Sequence, residues 1–197
     1  MAPAGVRAEN GLWVANHVSW LDIFIVNALF PSRFIAKFDV RRWPLMGALC
    51  AWAGTIFIER ANPRALRRTM VLMAAAIGNG ERVVVFLEGT SAAQGALLPF
   101  RVNLFEVAVE AAVPVQPVAI GYLDAQGGYH SAVEYIGAAP LLESMVTILT
   151  GRPSHVCLSV LPAFAVDGAD RRTLAKRAPI CCGGRIGWTS GVIHRPP

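Results

Sequence analysis

The chain has 197 residues, enough for one domain with a substantial core and no need of metal or disulfide staples. It is 54% hydrophobic and 16% charged, yet its longest run without Asp, Glu, Lys or Arg is the 16 residues between Arg42 and Glu59. That is short of the roughly 20 a spanning helix needs, so no transmembrane segment is expected. The net charge of +5 is carried by 16 Arg and 2 Lys, with a mean hydropathy of +0.47. This balance suits an anionic membrane surface, and no basic stripe with interleaved aromatics marks a nucleic-acid reader. The cysteines, Cys50, Cys157, Cys181 and Cys182, contain no C-x-x-C, which argues against metal binding or a disulfide framework and fits a reducing cytoplasm. No signal-peptide pattern opens the chain.

Residues 1–10 read as an N-terminal remnant ahead of the first motif, Asn16-His17-Val18-Ser19-Trp20-Leu21-Asp22. An imidazole takes a proton from an alcohol well only if another group holds one ring nitrogen protonated and aims the other. A carboxylate is the usual orienting group. His17 just before a helix and Asp22 in its first turn meet that need. The same letters also spell a capping box, Ser19 as N-cap and Asp22 at N3, with Val18 and Ile23 as a hydrophobic staple. Capping explains Ser19 and Asp22 but not His17 beside them.

Residues 20–30 predict a buried helix stopped near Pro31, and Arg33–Ala36 a short strand. Residues 42–53 predict a helix with Pro44 in its first turn and Gly54 past its end. Thr55–Ile58 is β-branched and aromatic, hence a strand. Asn62-Pro63 starts a helix to about Ile77, closed by Gly78. Val83–Leu87 is a continuous apolar run, the mark of a strand covered on both faces. A helix over 103–112 and a strand over Val115–Ile120 follow, with Pro117 implying an edge or a bulge. Tyr129–Tyr135 and Val156–Leu161 read as strands around a helix near 141–149. The alternation predicts a single α/β domain, residues 11–178, with a mixed, mostly parallel sheet flanked by helices. Beyond Ala178 the period is lost, and 179–197 reads as an irregular tail.

With these blocks in order, the chain resembles the glycerolipid acyltransferase family that includes bacterial lysophosphatidic acid acyltransferases. Asn16–Asp22 matches that family's N-H-x-S-x-x-D. Gly54-Thr55-Ile56-Phe57-Ile58-Glu59-Arg60 is similar to a second block ending in a substrate-binding Arg. Phe86-Leu87-Glu88-Gly89-Thr90 resembles F-P-E-G-T, and Val113-Pro114-Val115-Gln116-Pro117-Val118 an apolar V-P-x-x-P-V. The resemblance implies acyl transfer from acyl-CoA or acyl-carrier protein, as co-substrate, to the free hydroxyl of a lyso-glycerophospholipid such as lysophosphatidic acid. It implies no cofactor and no metal, and a peripheral place on the cytoplasmic side of the inner membrane.

His17 is then the general base and Asp22 its orienter. Arg60 is the forked ligand of the acceptor's phosphate, or else an ordinary surface ion pair. Glu88, Gly89 and Thr90 bind substrate where a buried strand ends, and Lys37 adds a phosphate or membrane contact. Arg41 and Arg42 read as solvated charges, and the fourth block as lining for core or acyl channel. Trp13, Trp20, Trp43 and Trp52 are candidates for a lipid interface or for core. Leu87 departs from the family's Pro, Ser91 stands where many members carry Arg, and the family's N-terminal membrane-associating helices are missing. The run Arg33–Arg42 and Leu97-Leu98-Pro99-Phe100 resemble members that acylate lyso-ornithine lipid, an alternative acceptor. A catalytically silent lipid-surface protein and a serine hydrolase built on Ser19, His17 and Asp22 are the competing readings.

Overall fold

Apolar runs of strand length alternate along this chain with helical segments carrying one apolar face, and the computed structural model arranges them as a layered α/β fold. It describes residues 8–43, 46–59, 63–96, 98, 102–137 and 139–183. The elements are β1 (Gly11–Ala15), α1 (Leu21–Leu29), β2 (Arg33–Lys37), α2 (Met46–Trp52), β3 (Ile56–Ile58), α3 (Pro63–Gly78), β4 (Arg82–Phe86), α4 (Glu106–Glu110), β5 (Val115–Leu123), α5 (Leu141–Thr150), β6 (His155–Val160) and α6 (Arg171–Gly183). They build a six-stranded sheet in the order β3-β2-β4-β1-β5-β6. Every pairing is parallel except β5 with β6. The sheet is mixed and mostly parallel, as the alternation implied.

Alternating side chains feed two cores. Leu12, Val14, Val83 and Val85 face Met73 and Ile77 of α3, Val107 and Ala108 of α4, and Leu174 of α6. Trp13, Ala15, Val84 and Phe86 face Val26 of α1, together with Val118, Ile120 and Tyr122 of β5. Each large apolar side chain buried here contributes about 1.5–3 kcal/mol by area. Strand β1 joins β4 to β5 at the centre, yet sequence reading named no strand there. Its four apolar letters lie between a glycine and the first motif.

Several expectations are corrected. Tyr129–Tyr135 is no strand: Tyr129 makes an isolated bridge to Leu123, and Ser131–Val133 is a 3₁₀ turn. The helix expected over 42–53 is a 3₁₀ turn at Phe38–Arg42 followed by α2, while Pro44 lies outside the described residues. The segment 103–112 likewise divides into a 3₁₀ turn, Val102–Phe105, and the short α4. Gly78 ends α3 but does not close it. The closing residue is Gly80 at φ +79°, where Glu81 N donates to the Ala76 carbonyl and Gly80 N to that of Ile77. Helix α6 passes Ala178, where the period was expected to end.

Pro117 does not sit at an edge, because β5 has neighbours on both sides. The ladder to β6 is irregular there instead. Leu161 N donates to the Pro117 carbonyl, but proline has no N–H to return to Leu161. The buried Gln116 side chain donates to the Leu161 carbonyl in its place. One residue separates Val115 from Pro117, whereas two separate Leu161 from Phe164, the next paired residue. That unequal count is a bulge.

The parallel strands set the site. Ala15 pairs with Phe86, so the residues two further along each strand, His17 and Glu88, leave the sheet side by side at its C-terminal edge. Open α/β sheets present ligand sites at that edge.

Candidate active site

The loop from β1 into α1 is pinned at the backbone N–H, the carbonyl and Nδ1 of His17. Its N–H donates to Glu88 Oε2 at 3.2 Å, and its carbonyl accepts from Ala92 N at 2.8 Å. Its Nδ1 lies 2.8 Å from Asp22 Oδ2, and its ring stacks on Phe86 with centroids 4.2 Å apart. Asp22 has no exposed surface, whereas the His17 side chain keeps 20% of its own. A carboxylate only accepts, so Nδ1 carries the proton, and in the neutral ring the lone pair is then on Nε2, on the opposite side. The arrangement can accept a proton from a hydroxyl placed against Nε2.

Asp22 is itself held from all sides. Oδ2 also accepts from Val18 N at 2.8 Å and Ser19 N at 3.0 Å, and Oδ1 accepts from the Tyr122 hydroxyl at 2.5 Å. Its place in the first turn of α1 adds the favourable end of the helix dipole. Half of the expected capping box therefore forms. The other half does not: Trp20 occupies the N-cap with no side-chain cap bond, and the buried Ser19 Oγ has no hydrogen-bond partner among the described residues. Ser19 and His17 make no nucleophile–base pair.

Tyr122 went unnoticed in the sequence, 100 residues beyond its partner. Burial, then the charge and hydrogen bond of Asp22, push its phenol far above the ordinary value, so it remains a donor. The available signal was a tyrosine in an apolar strand, whose hydroxyl needs a partner. Asn16, in the first block, ties two strands together. Its side chain donates to the Ile120 carbonyl at 2.9 Å and accepts from Ile120 N at 2.8 Å, adding one more rung between β1 and β5.

Glu88 is buried, with its carboxylate accepting from His17 N and from Leu98 N, each at 3.2 Å. Burial is the largest influence and raises its pKa above the usual carboxylate range, against the lowering effect of those two N–H groups. Gly89 adopts φ +73°, a region only glycine enters at no cost, and its N–H donates to the Phe86 carbonyl at 3.1 Å. Thr90 is exposed beside it. Lys37 is exposed at the end of β2 and ion-paired with Asp39. Arg60 lies outside the described residues. Among those described, no group of three or more His, Cys, Asp and Glu side chains is placed to hold a metal ion.

A family model described as Acyltransferase matches residues 3–121, a span that holds all four sequence blocks. The chain belongs to the acyltransferase family. Over 167 residues it is 39% identical to a lyso-ornithine lipid O-acyltransferase from Pseudomonas aeruginosa, covering 85% of this chain and 64% of that protein. Over 176 residues it is 35% identical to a 1-acyl-sn-glycerol-3-phosphate acyltransferase from Neisseria meningitidis, covering 87% and 68%. The crystal structure of the 1-acyl-sn-glycerophosphate (LPA) acyltransferase PlsC from Thermotoga maritima superimposes with a TM-score of 0.57 at 27% identity, covering 88% of this chain and 63% of that one. The chain thus spans about two thirds of the length of these relatives.

The two positions where this acyltransferase-family chain departs from the third block have structural places. Leu87 is buried in the core, and the Ser91 hydroxyl donates to the Tyr135 carbonyl. The tryptophans divide: Trp13 is fully buried, Trp20 and Trp43 are half-buried, and Trp52 is 87% exposed. Among the described residues no helix is long and apolar enough to cross a membrane.

Proposed function

We propose that this protein is a lyso-lipid O-acyltransferase that moves a fatty acyl chain from an acyl thioester to a free hydroxyl, with His17 as general base and Asp22 as its orienter. The observation that carries this reading is the 2.8 Å contact from His17 Nδ1 to a fully buried Asp22. As the acceptor oxygen attacks the thioester carbonyl carbon, Nε2 takes its proton. Collapse of the tetrahedral intermediate breaks the C–S bond, and the imidazolium returns the proton to the leaving thiolate. The products are an ester and a thiol, atoms balance, and neither an acyl-enzyme nor a cofactor is needed.

Glu88 acts by position, since both oxygens are committed to loop N–H groups. Gly89 lets substrate approach the backbone, Thr90 offers a hydroxyl, and Lys37 and Arg60 are the cations for an acceptor's phosphate. A cavity of about 390 Å³ with mixed walls, Ile35, Ile58, Leu66, Val85 and Phe86 beside Asn103, supports a place for the acyl chain. It shares Phe86 with the ring stack of His17. A peripheral position on the cytoplasmic face of the inner membrane fits exposed Trp52 and the outward Leu142, Val146 and Leu149 of α5.

Lysophosphatidic acid is the acceptor first proposed. Lyso-ornithine lipid is the second reading, favoured by the 39% identical Pseudomonas relative and by Ser91 in place of a family arginine. A transfer assay offering both acceptors, with acyl-CoA and acyl-carrier protein as donors, separates them. Labelled phosphatidic acid as main product supports the first reading and labelled ornithine lipid the second. No ester product from either acceptor refutes both.

A further inference from the structure

Strand β1 pairs with β5 only as far as Ala15 and Val118, so beyond that point it no longer covers that edge of β5. Backbone groups left open inside a fold need other partners. Two side-chain amides supply them in turn. Asn16 takes both backbone groups of Ile120, and Gln94 takes the next N–H along the strand, with Tyr122 N donating to Gln94 Oε1 at 2.6 Å. The Tyr122 carbonyl accepts from His130 N at 3.0 Å.

Gln94 lies just past the third block and is half-buried. Its backbone N–H donates to Glu134 Oε1 at 3.0 Å, and its Nε2 to the His130 carbonyl at 3.4 Å. A backbone N–H only donates and a carbonyl only accepts, so these neighbours fix which end of the amide faces Tyr122. The same loop holds the chain around His17. Ala92 N donates to the His17 carbonyl, and Ser91 Oγ to the carbonyl of Tyr135, whose own N–H donates to Val18.

What Gln94 holds matters at the far end of the tyrosine. The Tyr122 hydroxyl is the donor to Asp22 Oδ1, and Asp22 Oδ2 faces His17 Nδ1. Tyr122 is one residue from the end of β5, past its last pairing with β1, so main-chain movement there would be carried straight to the hydroxyl.

We propose that Gln94 is a positioning residue for the acyl transfer: by holding the Tyr122 main chain it sets the reach of the Tyr122 hydroxyl to Asp22, and so the aim of His17. This rests on the acyl-transfer reading above and requires no contact between Gln94 and either substrate.

The test compares, in the full chain, Gln94→Met, Tyr122→Phe and the two combined. Gln94→Met keeps the length of the side chain and removes its amide. In steady-state transfer it is expected to lower kcat about tenfold, because misalignment at a reacting centre is costly, with KM for acyl donor and lyso-lipid unchanged. In the Tyr122→Phe background the same substitution is expected to change kcat by less than about twofold, because the link it acts through is already cut. A second readout needs no turnover. The amide-proton shifts of Val18 and Ser19, which both donate to Asp22 Oδ2, are expected to move in Gln94→Met and far less where Tyr122→Phe is already present. Should Gln94→Met lose its cooperative thermal transition, Gln94→Asn, whose amide sits one CH₂ short, goes through the same cycle with the same expectations. A native kcat in the folded variant overturns the proposal. So does a raised KM for either substrate at native kcat, or an equal fold-loss with and without the Tyr122 hydroxyl. If the unsubstituted protein forms no ester, the acyl-transfer reading fails by itself. The Val18 and Ser19 shifts then decide whether Gln94 positions Asp22, and unmoved shifts overturn it.

Discussion

In the proposed mechanism His17 is the residue on which the chemistry turns, and its environment leaves it little freedom. Backbone N–H, carbonyl, Nδ1 and ring face are all engaged, so Nε2 is the remaining functional atom. Asp22 depends in turn on Tyr122. Tyr122→Phe removes the hydroxyl donor from a fully buried carboxylate oxygen and is expected to cost about 1–3 kcal/mol of stability. As a positioning residue it should lower kcat while leaving KM for both substrates near the native value. Chemical denaturation and steady-state kinetics on the same variant check the two parts.

Glu88 carries the pH dependence at this scale. Its folded pKa is raised, so its contribution to stability is complete below the unfolded value near 4.5 and is lost as pH rises through the folded value. Glu88→Gln does not titrate. Melting curves from pH 4 to 8 should therefore show the native protein losing stability relative to Glu88→Gln as pH rises. A gap that is flat, or that moves in favour of the native protein, contradicts the assignment.

Helix ends show where single residues decide an element. Gly54 and Gly80 close α2 and α3 in the left-handed region, with hydrogen bonds of the same pattern at both. Helix α4 ends with that pattern too, Val113 N to the Ala108 carbonyl and Ala112 N to that of Val109, but its left-handed residue is Ala112 at φ +50°. A Cβ there is unfavourable by about 1–2 kcal/mol, partly offset by the lower entropy of an unfolded alanine. Ala112→Gly is expected to stabilise the fold by up to about 1 kcal/mol, seen as a rise in Tm. An unchanged or lower Tm contradicts this.

The same scale explains what was legible in the letters. Helix α3 and strand β4 were readable because a cap pair, a long period and an unbroken β-branched run are local signals. The segment Tyr129–Tyr135 carries two tyrosines and a valine, but it crosses from β5 over the site, where Tyr135 N bonds to the Val18 carbonyl. No local pattern reveals that contact. Of the edge or bulge that Pro117 implies, the structure forms the bulge, and the compensating amide of Gln116 becomes visible only when β6 lies alongside.

Across the whole molecule, parallel pairing is what turns scattered blocks into one site. The first and third blocks meet because β1 and β4 are neighbours in register, and the fourth joins because β5 flanks β1 on its other side. His17 and Asp22 were legible as a pair because five residues separate them. Tyr122 was not, because its approach depends on strand order, and β1 had not been recognised as the strand between the blocks.

In the proposed reaction an imidazole aimed by a buried carboxylate removes the acceptor's proton. The most direct measurement is steady-state acyl transfer by His17→Ala beside the native protein, with whichever lyso-lipid the native protein accepts. The expected result is a fall in kcat of about 10²–10⁴-fold with an unaltered thermal transition. Turnover within a few-fold of the native rate, in a variant that remains folded, contradicts it.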